Sequence, residues 1–87
     1  MYRVELLPQA INDLRRLDKP VAQRILNKLR WLAENFESVA SETLMGPLAG
    51  LAKLRVGDYR VIYEPDRENR VITVHLIGHR GEIYRQS

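Results

Sequence analysis

The chain has no cysteine, which excludes a disulfide scaffold, a thiolate metal site and a cysteine nucleophile. Histidine is almost as scarce. His75 and His79 are the only two, too few to suggest a histidine-rich metal site, and no metal or other cofactor is expected. No apolar run approaches the roughly 18 residues that a membrane-spanning helix needs. The opening residues MYRVELLPQA lack the basic-then-apolar layout of a signal peptide. The expectation is a cytoplasmic protein without membrane contact. Eighty-seven residues suffice for one domain, residues 1–87, with a thin core.

Lysine is also rare, and this shapes the charge. Of the 14 basic residues only Lys19, Lys28 and Lys53 are lysines, and the rest are arginines, against 11 acidic residues, for a net charge of +3. That excess is too small to establish nucleic-acid binding. The choice of arginine says more, because its planar fork of donors grips phosphate bidentately and stacks on bases.

Hydrophobic periodicity divides the chain into elements. Residues 2–7 alternate as a short strand, with Tyr2, Val4 and Leu6 on one face. Pro8 suits the first turn of a helix over residues 9–17, in which Ala10, Ile11, Leu14 and Leu17 recur at helical spacing. Asp18 is a candidate cap and Pro20 a candidate early residue of a second helix. Its stripe is Val21, Ile25, Leu29, Leu32 and Phe36, widened by Ala22, Leu26 and Ala33. Trp31 lies off that stripe, either as a second packing contact or as a surface for bases or a partner. Residues 37–50 read as a connecting loop.

Beyond residue 50 the period becomes two. LAKLRV (51–56), YRVIYE (59–64) and RVITVHLI (70–77) read as strands, with Gly57-Asp58 as a two-residue hairpin turn and residues 65–69 as a longer one. The expected fold is α+β: an N-terminal strand, a helical hairpin, then a three-stranded antiparallel meander (β-α-α-β-β-β) completing one sheet.

The hairpin turn fixes a register. Val56 falls opposite Tyr59, Arg55 opposite Arg60, Leu54 opposite Val61 and Lys53 opposite Ile62. Alternation then puts Leu54, Val56, Tyr59, Val61 and Tyr63 on the face that meets the helices, and Lys53, Arg55, Arg60, Ile62 and Glu64 on the other. Like charges directly opposed in a sheet cost roughly 0.2–1 kcal/mol, and a local rule is often broken at a functional site. An anion bound on this face would relieve the repulsion. The alternative is a solvated face with Glu5 or Glu64 as counter-ions. Glycines at 78 and 81 permit a bulge or the close approach of a ligand, and they leave the face taken by Arg80 open. Pattern alone makes Arg80 a phosphate ligand or a surface arginine, His79 a site or surface residue, and His75 a packed or half-exposed strand residue.

The run LMGPLAGLAKLRVGDYRVIYE (44–64) followed by VITVHLIGHRGEIYR (71–85) resembles the RelE branch of the RelE/ParE toxin superfamily. The resemblance covers the whole chain and implies the toxin half of a type II toxin–antitoxin pair. RelE-like members cleave mRNA in the ribosomal A site without a metal. Matched position by position, the resemblance implies that Lys53, Arg60, Arg80 and Tyr84 are catalytic and that Arg55 and His79 bind substrate. One departure is Leu51, which stands where the best-studied kind of member has a second lysine. The implied chemistry is attack of the RNA's own 2′-hydroxyl on a phosphate held by a cationic cup, giving a 2′,3′-cyclic phosphate and a 5′-hydroxyl. Neighbouring positive charge would disfavour the ammonium form of Lys53 and make it a base. Arg80, with His79 as substitute, would protonate the leaving oxygen, and Tyr84 would stack on a base or bond the 2′-hydroxyl.

The implied partners are a RelB-like antitoxin, the ribosome with its mRNA, and operator DNA only through the antitoxin complex. Two other functions remain open: a ParE-like poison of DNA gyrase on the same fold, and a catalytically weak RNA-binding relative.

Overall fold

The computed structural model describes residues 1–38, 42–43 and 50–83, with the backbone only at 42–43. Strand β1 (Arg3–Leu6) leads into helix α1 (Pro8–Arg15) and helix α2 (Lys19–Asn35), which ends in a single 3-10 turn at Phe36–Ser38. A two-residue strand β2 (Glu42–Thr43) precedes the meander β3 (Ala52–Val56), β4 (Tyr59–Asp66) and β5 (Val71–His79). All five strands form one sheet in the order β1-β5-β4-β3-β2. The expected α+β plan is present, and the segment read as pure loop contributes the short β2 to the sheet edge.

β1 lies parallel to β5, with Arg3 opposite Val71 and Leu6 opposite Val74. A parallel neighbour needs a long crossover, and the helical hairpin is that connection. Both helices start as the prolines suggest, with Pro8 and Pro20 in their first turns. Asp18 occupies the cap position of α2 but its side chain makes no capping bond. On α2 the buried residues are Ile25, Leu29, Leu32 and Ala33, one face at helical spacing. They meet Leu54, Val56, Val61, Tyr63, Ile72, Val74 and Ile77 of the sheet, and the Tyr2 ring closes one end 4.6 Å from that of Phe36. Ile11 and Leu26, expected in the apolar stripes, are exposed instead, as is Leu7. No described helix is long and apolar enough to cross a membrane.

β4 continues past Glu64 through Pro65 to Asp66. β3 stops pairing at Ala52–Tyr63, so on that side Pro65 has no strand to which it would need to donate. β5 carries a bulge: Ile62 pairs with Leu76 but Tyr63 pairs with Val74, leaving His75 as the extra residue. This one-residue insertion exchanges the faces of β5. Before it Ile72 and Val74 enter the core, and after it Ile77 does. The bulge had been a possibility at the glycines; it sits at His75, which is half-exposed with Nε2 3.2 Å from Glu64 Oε1.

Beyond Leu6 the β1 edge of β5 is open, and helix α1 takes over. Asp13 is buried, and its Oδ2 accepts the Ile77 N–H at 2.9 Å while its Oδ1 accepts the Gln9 Nε2 donor at 2.8 Å. A carboxylate on a helix therefore satisfies a strand donor that has no partner strand, which fixes the last part of β5 in place.

Candidate functional site

The β3–β4 hairpin has the register that its turn dictates: Arg55 opposite Arg60, Leu54 opposite Val61, and Lys53 opposite Ile62. Leu54, Val56, Val61 and Tyr63 are buried toward the helices. On the other face Arg55 is exposed and Lys53 half-buried, but Arg60 and Ile62 are buried at 6% and 0% exposure.

Arg60 is buried because its guanidinium folds over the hairpin turn. Its Nη1 donates to the Gly57 and Tyr59 carbonyl oxygens, both at 2.9 Å. The like-charge opposition with Arg55 is thus eased by backbone carbonyls of the turn itself. Gly57 makes this tight turn possible by adopting a φ of 59°. On its other side Arg24 of α2 brings Nη1 to 3.3 Å from the point where a Gly57 Cβ would stand.

β5 delivers the remaining candidates. Gly78 pairs with Arg60, and Ile83 approaches it so closely that a Cβ at position 78 would lie 3.2 Å from Ile83 Cδ1. The close approach expected at this glycine is therefore made by the chain's own Ile83, which is fully buried. Arg80 extends the strand pairing by one bond, its N–H donating to the Asp58 carbonyl at 2.8 Å. This puts Arg80 beside the same turn that Arg60 grips. Its side chain is exposed and, like that of Arg55, forms no ion pair among the described residues.

His79 lies on the other face, opposite Tyr59, with the two rings edge-on at 5.7 Å. The Gly81 N–H donates to His79 Nδ1 at 3.2 Å, so the neutral ring carries its proton on Nε2. The structure thus gathers Arg55, Arg60 and Arg80 at the hairpin end of the sheet, with Lys53 one pleat behind Arg55. It sets His79 around the edge, and Tyr84 lies outside the described residues.

Two features escaped the sequence reading, and the structure decides between the two roles left open for a third residue, Trp31. Asp13 occupies a core-facing position, and its spacing from Ala10 and Leu17 carried that signal. Arg24 reaches the hairpin turn only through tertiary packing. Trp31 is 41% exposed, with Lys28 Nζ 3.9 Å above its ring, so it is a surface residue rather than the packing contact that was one of its two expected roles.

Comparison with known proteins identifies the lineage. Residues 4–84 match the family described as the ParE toxin of type II toxin–antitoxin system, parDE. The chain belongs to this family. It is a toxin of the RelE/ParE superfamily, in agreement with the resemblance seen in its sequence. It is 29% identical over 86 residues to Toxin RelE of Mycobacterium tuberculosis strain ATCC 25618 / H37Rv, covering 99% of this chain and 89% of that protein. The toxin–antitoxin complex RelBE2 of Mycobacterium tuberculosis contains a chain with TM-score 0.80 and 25% identity, over 90% of this chain and 96% of that one. The archaeal RelE–RelB complex of Pyrococcus horikoshii OT3 gives TM-score 0.69 and 30% identity, over 92% and 96%. The superfamily fold is therefore present in this toxin with both helices and the complete meander.

Proposed function

We propose that this toxin is a ribosome-dependent, metal-independent endoribonuclease that cleaves mRNA in the A site and so arrests translation. The observation that carries the reading is the convergence of Arg55, Arg60 and Arg80 on one hairpin turn, two of them exposed and without ion pairs among the described residues. Similarity to Toxin RelE supports it. Arg55 and Arg80 bind the non-bridging oxygens of one phosphodiester. Arg60 holds the turn that spaces them and presents its remaining N–H groups to the same anion. The 2′-oxygen attacks phosphorus as its proton passes to Lys53. The bond to the 5′-oxygen breaks, and that oxygen takes a proton from Arg80. Positioned cations stabilise the charge that spreads over the phosphate oxygens in the transition state. DNA lacks the attacking hydroxyl and is not cut. The resemblance to RelE-like toxins supports a role for Tyr84 as a stacking or 2′-hydroxyl ligand.

The toxin works in the cytoplasm, restrained by a RelB-like antitoxin that also carries operator binding. Exposed Leu7, Ile11 and Leu26 on the helical side suit the apolar part of that contact. The similar folds in complex with antitoxins support this partner.

A ParE-like action on DNA gyrase is the second reading, favoured by the family matched over residues 4–84. Brief induction in cells followed by mapping of mRNA ends separates the two. New 5′-hydroxyl ends within translated codons support the nuclease, whereas loss of plasmid supercoiling with intact mRNA supports the gyrase poison.

A further inference from the structure

A groove runs between α2 and the β3–β4 hairpin, on the side of the turn away from Arg60. It is lined by Arg24, Lys28 and Trp31 from the helix and by Arg55, Val56 and Gly57 from the hairpin. Arg24, Lys28 and Trp31 share one helical face at i, i+4 and i+7. Among the described residues no carboxylate lines the groove. Like charges four apart on a helix repel, and neither Arg24 nor Arg55 has an ion-pair partner among the described residues. The floor is apolar, since Val56 is buried. At the far end stands Trp31, 41% exposed beneath the Lys28 ammonium.

We propose that this groove is a second subsite for single-stranded RNA, in which a base near the held phosphodiester stacks on Trp31 while Arg24 and Lys28 bind flanking phosphates and Arg55 joins the groove to the held phosphodiester. Three cations without a carboxylate call for a polyanion, and an exposed indole among them calls for one that also carries flat rings. The rise from Arg24 to Lys28 is about 6 Å along the helix, comparable to the step between adjacent phosphates on an extended strand. Continuity fixes the direction. Arg55 borders both regions, and Gly57 offers its carbonyl to Arg60 on one side and its open Cα to Arg24 on the other. A strand leaving the Arg55–Arg80 end therefore crosses the glycine turn into the groove. Lys28 gives up a weak contact with the ring and gains a phosphate when the base arrives. The inference rests on the nuclease reading for the identity of the strand, but its test does not depend on cleavage.

Trp31 is the chain's single tryptophan, so its emission reports on this groove alone. The whole toxin is titrated with a 2′-O-methyl oligoribonucleotide of about eight nucleotides, which cannot be cut. Saturable quenching is expected. Arg24→Ala and Lys28→Ala should each weaken binding several-fold and lower the slope of log affinity against log salt by about 0.7. Trp31→Ala, followed by anisotropy of an end-labelled strand, should weaken it about tenfold while Trp31→Phe retains most of the affinity. Circular dichroism of each variant checks the fold. Absence of quenching, or affinity indifferent to all of these substitutions, overturns the subsite even if mRNA cleavage is observed. Quenching with the expected losses supports it even if no cleavage is found. Stronger quenching by polyglutamate than by the oligonucleotide also overturns it and makes the groove a protein-docking surface.

Discussion

The two ends of the sheet are both rich in arginine, yet they use it differently. At the far turn, Arg67 lies 3.8 Å from a Glu37 carboxylate oxygen and 4.9 Å from the Phe36 ring centre. Asp66 closes that turn by accepting the Asn69 backbone N–H at 3.1 Å and the Asn69 side-chain amide at 2.8 Å. There Arg67 has a carboxylate built into the fold, while Arg70 beside it makes no ion pair among the described residues. At the hairpin end, Arg60 is held by two carbonyl oxygens of the Gly57 turn, while Arg24, Arg55 and Arg80 find no carboxylate among the described residues. A count of basic residues would not separate these ends. What separates Arg67 from Arg55 and Arg80 is whether the carboxylate partner is built into the fold or the anion has to come from outside.

Four substitutions sharpen that contrast. Arg80→Ala should reduce mRNA cleavage about 10²–10³-fold, the usual cost of one transition-state donor, with the urea midpoint unchanged because the side chain is exposed. Arg60→Ala should impair cleavage and also destabilise the fold by about 2 kcal/mol, because it removes charge-assisted bonds to two turn carbonyls. Equal stability of these two variants would show that the buried Arg60 does not hold the turn. Asp13→Ala should cost about 1–3 kcal/mol in urea unfolding by orphaning the Ile77 N–H. At the far end Arg67→Ala should change stability by less than about 1 kcal/mol, since both partners are well exposed, and should leave cleavage untouched.

The smallest effect concerns pH. Hydrogen bonds from the Asn69 side chain, then from its backbone, hold the Asp66 carboxyl below its ordinary value. A lowered folded value means that the stabilisation is complete above the unfolded carboxylate range and fades as pH falls through the folded value. Asp66→Asn should therefore lower the Tm slightly at neutral pH, and the difference from the parent should vanish on acidification. A constant difference across that range would contradict the assignment.

Much of this architecture was legible in the residues, and the exceptions have physical causes. Gly57-Asp58 set the hairpin register, because a two-residue turn leaves one way to pair the strands that keeps Leu54, Val56, Val61 and Tyr63 together. The prolines marked both helix starts. The strand order was not readable, since alternation in residues 2–7 says which face is apolar but not which neighbour pairs. The bulge at His75 was hidden for a related reason: in the run VITVHLI the polar residues Thr73 and His75 keep the two-residue spacing of an unbroken strand, and Leu76 and Ile77 beyond them are both apolar, so nothing marks the change of phase. At the site, pattern placed Arg55 and Arg60 on one face but could not show that Arg60 would turn onto the Gly57 carbonyl. It left Trp31 with two roles because exposure depends on tertiary packing, and the ring stands at the open end of a groove, 41% exposed. His79 was grouped with the arginines through its sequence neighbours, whereas the parity of β5 carries it to the Tyr59 face.

The most direct test of the central claim is to compare two arginine variants at opposite ends of the sheet by mapping 5′-hydroxyl mRNA ends on translating ribosomes. The account predicts that Arg67→Ala cuts like the parent and that Arg80→Ala loses about 10²-fold or more. Equal cutting by the two variants would contradict it.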